Sequence, residues 1–139
     1  MPFVLDVSVA MAWCFDDETT PETEAVLDRF KDDTAAVPNL WELDLANVVL
    51  VAERRRRLAE FQVTRFIDLM HRLPITVEVA PADSTSVLAA ARRHDLSAYE
   101  AAYLVLAERE GLPLATRDER LLAAARAAGV PLLIEHAST

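Results

Sequence analysis

Four acidic side chains stand where their type and surroundings allow chemistry: Asp6, Asp44, Glu100 and Asp118. Asp6 closes the apolar run Phe3-Val4-Leu5 and is followed two residues later by Ser8. Asp118 follows Leu114-Ala115-Thr116, so a hydroxyl again stands two residues away. Asp44 interrupts the apolar stretch Leu40 to Ala52, and Glu100 follows Leu96-Ser97-Ala98-Tyr99. Carboxylates that converge without lysine or arginine want hard cations, and oxygen ligands suit Mg²⁺ or Mn²⁺. Mg²⁺ keeps several waters and needs only one or two carboxylates plus a substrate phosphate. Zinc is not indicated, because no Cys/His spacing is present and His71, His94 and His136 are scattered, as surface residues are. A phosphate-cradling glycine loop is excluded, since Gly111 and Gly129 are the only glycines.

Each acid also has a plainer reading. Asp6 and Ser8 both make good helix N-caps. Asp44 lies in a helix that is apolar almost all round, and such helices are buried. Asn47, three residues on and in line with Leu40 and Val51, is expected to project inward with it, whereas Glu42 is expected to face solvent. A buried carboxylate needs a partner, either a cation or a structural hydrogen bond. Ser97-x-x-Glu100 is a capping-box pattern, in which the glutamate folds back onto the backbone of Ser97. Asp118 suits the cap of the next helix, and Thr116 either orients its carboxylate or fills a strand end.

The elements that must position these residues follow from periodicity and punctuation. Short apolar strands are predicted at Phe3–Asp6, Ala35–Val37 and Ile75–Val79. Helices are predicted near Ser8–Phe15, Pro21–Lys31, Asn39–Arg57, Glu60–Arg72, Pro81–His94, Ala98–Glu110 and Glu119–Ala128. Two junctions, Gly111-Leu-Pro113-Leu-Ala-Thr116 and Gly129-Val-Pro131-Leu-Leu-Ile134, read as a helix stopped by glycine, then a proline, then a short buried strand. Repeated connections of this kind define an α/β fold with a mainly parallel sheet flanked by about seven helices. Parallel strands put the ligand crevice at their carboxyl ends, where Asp6 and Asp118 should sit.

With 139 residues, 53% hydrophobic content and no linker or repeat, the chain is expected to form one domain over 1–139. The longest apolar run falls short of a membrane span, no basic segment precedes the first apolar stretch, and the lone Cys14 permits no internal disulfide. A soluble, unprocessed cytoplasmic protein is therefore expected. The net charge of −9 argues against a broad grip on nucleic acid. Of the 14 lysines and arginines, however, all but Lys31 are arginine, and they cluster at Arg54-Arg55-Arg56-Arg57, Arg65, Arg72 and Arg92-Arg93-His94. Arg54 to Arg57 are candidate RNA contacts, or else a plain exposed helix end.

Four stretches together give a resemblance over nearly the whole chain. They are Val4-Leu-Asp6-Val-Ser8; Pro38-x-Leu40-Trp-x-Leu-Asp44-x-Ala-Asn47; Leu96-Ser-Ala-Tyr-Glu100-Ala-Ala-Tyr103 with Leu106-Ala107; and Gly111-Leu-Pro-Leu-Ala-Thr116-x-Asp118. In this order they resemble the PIN domain, and within it the VapC-type toxin ribonucleases of toxin–antitoxin pairs. Two residues depart from the pattern: Asp44 stands where the family usually has glutamate, and Glu100 where it usually has aspartate. Both exchanges keep the charge and alter the reach by one methylene.

The resemblance implies metal-dependent hydrolysis of RNA phosphodiester bonds by an activated water, with Mg²⁺ or Mn²⁺ as cofactor. Asp6 would be the central ligand, Asp44, Glu100 and Asp118 would complete the acidic site, and Ser8, Asn47 and Thr116 would support it. It also implies a homodimer and a small antitoxin that blocks the acidic groove, often through a basic side chain. The acidity of the chain suits such a partner independently. Trp13 and Phe15, beside Asp16-Asp17-Glu18, would receive it unless they are core residues. The alternative is a degenerate domain that binds antitoxin or RNA without cutting. Receiver domains also gather aspartates at strand ends, but they need a lysine near a late strand, which is absent here. Aspartyl-phosphate phosphatases need a second aspartate where this chain has Ser8.

Overall fold

The computed structural model describes residues 1–79 and 83–135. The expected helix start at Pro81 and the scattered His136 lie outside them. Four strands, β1 (Phe3–Leu5), β2 (Ala35–Val37), β3 (Ile75–Val77) and β4 (Leu114–Ala115), form one sheet in the order β3-β2-β1-β4. All three pairings are parallel, with Val4 beside Ala36 on one side and Leu114 on the other. Such a sheet is covered on both faces, so its central strand carries no polar alternation. Phe3, Val4 and Leu5 are accordingly all fully buried.

Among the described residues seven α-helices fill the intervals: α1 (Val7–Ala12), α2 (Pro21–Asp28), α3 (Trp41–Arg54), α4 (Glu60–Arg72), α5 (Ser84–His94), α6 (Ala98–Glu110) and α7 (Glu119–Ala128). The chain steps outward from β1 to β2 to β3 and then returns, through α5 and α6, to the far side of β1. Strand order therefore reverses between β1 and β4. In open parallel sheets that switch point, at the carboxyl ends of the strands, is where ligands bind.

The α/β architecture and helix count agree with the sequence reading, and the differences lie at element ends. β1 stops at Leu5, so Asp6 is the first residue outside the sheet. The first helix ends at Ala12, and Asp16–Glu18 form a separate 3₁₀ turn. The end of the second helix, Arg29–Lys31, likewise tightens into a 3₁₀ turn. The third helix begins at Trp41 and ends at Arg54, because Arg56 adopts a left-handed conformation with φ of 61°. β3 stops at Val77, and among the described residues after Pro131 a single bridge, Leu132 to Leu114, extends the sheet. Gly111 and Gly129 do terminate α6 and α7 in the left-handed region.

One expectation is overturned. The third helix is not buried all round: Trp41, Leu45, Val49 and Ala52 form a single buried stripe. Leu43 is 76% exposed, and Asn47 faces solvent rather than the interior. Apolar content alone thus misled, because a 3.6-residue period places positions 43, 47 and 50 opposite the stripe.

Candidate active site

The carboxyl end of β1 meets the loop after β4 at Asp6. Its backbone N–H donates to the Ala115 carbonyl at 2.9 Å, which seats it at the sheet edge. Asp6 occupies the N-cap position of α1, yet its carboxylate makes no capping bond. Instead Oδ2 accepts from the Ser8 hydroxyl at 2.6 Å and from the Thr116 hydroxyl at 2.7 Å. No described residue donates to Oδ1. The side chain is buried, and burial pushes its pKa up to about 6, against the two hydroxyl bonds that lower it; the nearby charges of Asp44 and Asp118 add to the rise.

Asp44 projects from the first turn of α3 and is half-buried. Its Oδ2 accepts from the Tyr103 hydroxyl at 2.9 Å, across from α6. Desolvation raises its pKa, and the tyrosine bond offsets part of that rise. Tyr103 is 1% exposed, and burial together with the charges of Asp6 and Asp44 pushes its own pKa up, so its proton stays in place as a donor. Asp118 caps α7, with Oδ1 accepting from the Leu121 N–H at 3.0 Å, while its own N–H donates to Thr116 Oγ1 at 3.1 Å.

Glu100 stands apart from these three. Its Oε1 accepts from the Ser97 N–H at 2.9 Å and its own N–H donates to Ser97 Oγ at 3.1 Å, the full capping box. It is not among the groups that act on Asp6. Asn47 is exposed and makes no side-chain hydrogen bond within the described residues. The structure thus gathers Asp6, Asp44, Asp118, Ser8 and Thr116 at one sheet edge, keeps Glu100 in its cap, and leaves Asn47 outside.

The donor set has the chemistry of a hard-cation site. The charges of Asp44 and Asp118 both act against an ionised Asp6, one of whose oxygens accepts from two hydroxyls while no described residue donates to the other. Among the described residues no three His, Cys, Asp or Glu side chains close into a ready-made cage. Mg²⁺ needs only one or two carboxylates and keeps much of its water, so these residues fit such an ion by donor type.

Several participants escaped the sequence reading. Tyr103 stands in the sequence only as the end of the stretch Leu96 to Tyr103 that carries the resemblance, although a buried tyrosine ordinarily finds a hydrogen-bond partner. Arg117, between Thr116 and Asp118, donates its backbone N–H to Ser8 Oγ at 2.9 Å, and its guanidinium meets Glu18 at 3.2 Å. Nothing in the spacing of Glu18 and Arg117, 99 residues apart, signals that pair. Arg57, taken as a candidate RNA contact, is engaged by Glu18 at 3.0 Å and Asp17 at 3.4 Å, and lies 3.9 Å above the Phe15 ring. Phe15 is a core residue, and Trp13 is half-buried with its indole N–H on the Thr23 carbonyl. His71 is a surface residue, paired with an exposed Glu42 as that residue's solvent position predicts.

Fold and site define a class: a parallel α/β domain with a cluster of aspartates and hydroxyls at its topological switch point. The model of the PIN domain matches residues 3–127, and the chain belongs to that family, whose members are in general nucleases. The crystal structure of PAE2754 from Pyrobaculum aerophilum is similar in fold, with a TM-score of 0.71 and 20% identity, covering 96% of this chain and 84% of that one. No curated protein matches the chain. No helix among the described residues is long and apolar enough to cross a membrane.

Proposed function

We propose that this protein is a Mg²⁺- or Mn²⁺-dependent endoribonuclease of the VapC type, a cytoplasmic toxin held in check by a cognate antitoxin. The observation that carries the reading is Asp6, a buried carboxylate at the switch point with two hydroxyls on one oxygen and two further aspartates within electrostatic reach. In this reading Asp6 is the central ligand. Asp44, held by Tyr103, and Asp118, held by the first turn of α7, flank it, and Glu100 contributes from the rim while capping α6. Bound there, a divalent cation supplies the Lewis acidity that polarises a phosphoryl oxygen and acidifies water.

The protein's own part is preorganisation. Ser8 and Thr116 fix the Asp6 carboxylate before substrate arrives, so no reorganisation is needed during the reaction. The partners that belong to this reading are RNA, a second copy of the chain, and an antitoxin with a basic segment. With Phe15 buried, apolar surface near Trp13 that is open to an antitoxin lies on the outer face of α4, where Phe61 is 71% and Leu69 47% exposed.

Total bacterial RNA incubated with antitoxin-free protein and EDTA, Mg²⁺ or Mn²⁺ tests the reading. Metal-dependent fragments are expected from the wild type and none from Asp6→Asn or Asp118→Asn, both folded: asparagine at 118 still caps α7, and at 6 it keeps a carbonyl for Ser8 and Thr116. Full activity in either variant removes that residue from the site. Absence of cleavage by folded wild-type protein under every ion overturns the nuclease and leaves a degenerate binding domain.

A further inference from the structure

Arg117 is the one arginine embedded in the site loop. Its side chain is 13% exposed, and its Nε is buried without a hydrogen-bond partner. A guanidinium in that position is costly unless an acid compensates it. Glu18, 28% exposed, is the acid that does so, through Oε1 at 3.2 Å. Its other oxygen is held by Arg57 at 3.0 Å, and Arg57 is fixed in turn over Phe15. The network therefore ties the 3₁₀ turn after α1 and the α3–α4 turn to the loop between β4 and α7.

The guanidinium is not among the groups that act on Asp6, so its influence on the site runs through the backbone. The Arg117 N–H occupies a lone pair of Ser8 Oγ at 2.9 Å, and the hydroxyl is left to donate to Asp6 at 2.6 Å. We propose that Glu18 and Arg117 are a pair of positioning residues: Glu18 anchors the Arg117 side chain, the anchored Arg117 peptide orients the Ser8 hydroxyl, and Ser8 orients Asp6. This rests on reading Asp6 as the cation-binding centre.

Loss of Glu18 leaves Arg117 buried and unpaired, so the side chain turns toward water and its peptide leaves Ser8. Glu18→Ala, Glu18→Gln, Ser8→Ala and the double variant Ser8→Ala/Glu18→Ala are compared as full-length proteins by two measurements. One is amide hydrogen exchange at Arg117 without metal, and the other is Mn²⁺ affinity by calorimetry. In Glu18→Ala the Arg117 amide is expected to exchange faster and Mn²⁺ to bind about tenfold more weakly, the scale of an outer-shell contact. Glu18→Gln, which keeps an acceptor, should recover part of both. The double variant should bind Mn²⁺ no more weakly than Ser8→Ala alone, because both changes break one chain.

Unchanged exchange at Arg117 in Glu18→Ala overturns the proposal whatever the metal does. Losses that multiply in the double variant also overturn it, showing a fold staple independent of Ser8. If wild-type protein binds no Mn²⁺ while exchange responds as expected, the cation-centre reading fails and the clamp on Ser8 stands.

Discussion

Asp6 is a residue whose charged form folding opposes and the proposed function requires. Its carboxyl titrates near 3.8 ordinarily and near 6 in the folded protein, chiefly because it is buried. Between those pH values the folded state holds a proton that the unfolded chain has lost, so stability declines as pH rises through the window and is lowest above it. The shift corresponds to about 3 kcal/mol. Asp6→Asn keeps a carbonyl for Ser8 and Thr116 and removes the charge, so it should gain up to about 3 kcal/mol at pH 7.5 and nothing at pH 4. Urea unfolding of both proteins from pH 4 to pH 8 measures this; equal stability at pH 7.5 contradicts it. At this scale the acids were legible in the sequence but their uses were not. Asp6 and Asp118 both precede a helix, yet only Asp118 caps one, since the choice depends on two hydroxyls brought from opposite ends of the chain.

Elements show where local rules suffice. The pattern Ser97-x-x-Glu100 predicts a capping box, and the structure contains it. Ser97→Ala should therefore cost about 1 kcal/mol of stability. Glu100→Gln should cost almost nothing, because glutamine serves the same box. If Glu100 also contributes to the site from its cap, Glu100→Gln should lower RNA cleavage by about tenfold, as a peripheral ligand contact does, while Asp6→Asn abolishes it. Chemical denaturation and initial cleavage rates separate the two roles, and a Glu100→Gln protein with wild-type rates confines Glu100 to capping. Element ends were less legible wherever tertiary contacts set them. The helix predicted through Arg57 stops at Arg54, where Arg56 turns left-handed and Arg57 meets Glu18, Asp17 and Phe15, partners about 40 residues away. The outward face of the same helix was misjudged because composition cannot tell an apolar helix with one buried stripe from one buried all round.

Taken whole, the molecule is acidic, and its arginines divide by what they already hold. Arg29, Arg57, Arg72, Arg109 and Arg117 are spent on acidic neighbours. Arg54, Arg55 and Arg56 are exposed at the end of α3 with no ion pair among the described residues. They adjoin Arg57, which Glu18 links to Arg117 and so to the site loop. If the proposed ribonuclease reading holds, a net charge of −9 repels RNA at long range, and phosphate contacts would have to come from such a local group. Replacing Arg54, Arg55 and Arg56 together by alanine should raise the KM for RNA about tenfold, leave kcat unchanged, and flatten the dependence of log affinity on log salt by about 2, as loss of three single-strand phosphate contacts requires. Arg57→Ala should do the opposite, leaving the salt slope intact while lowering thermal stability through loss of its hold on Glu18 and Phe15. RNA binding measured by fluorescence anisotropy from 50 to 300 mM KCl, beside thermal unfolding, distinguishes them. An unchanged slope in the triple variant makes Arg54 to Arg56 a solvated helix end and moves the search for phosphate contacts to Arg65, Arg92 and Arg93.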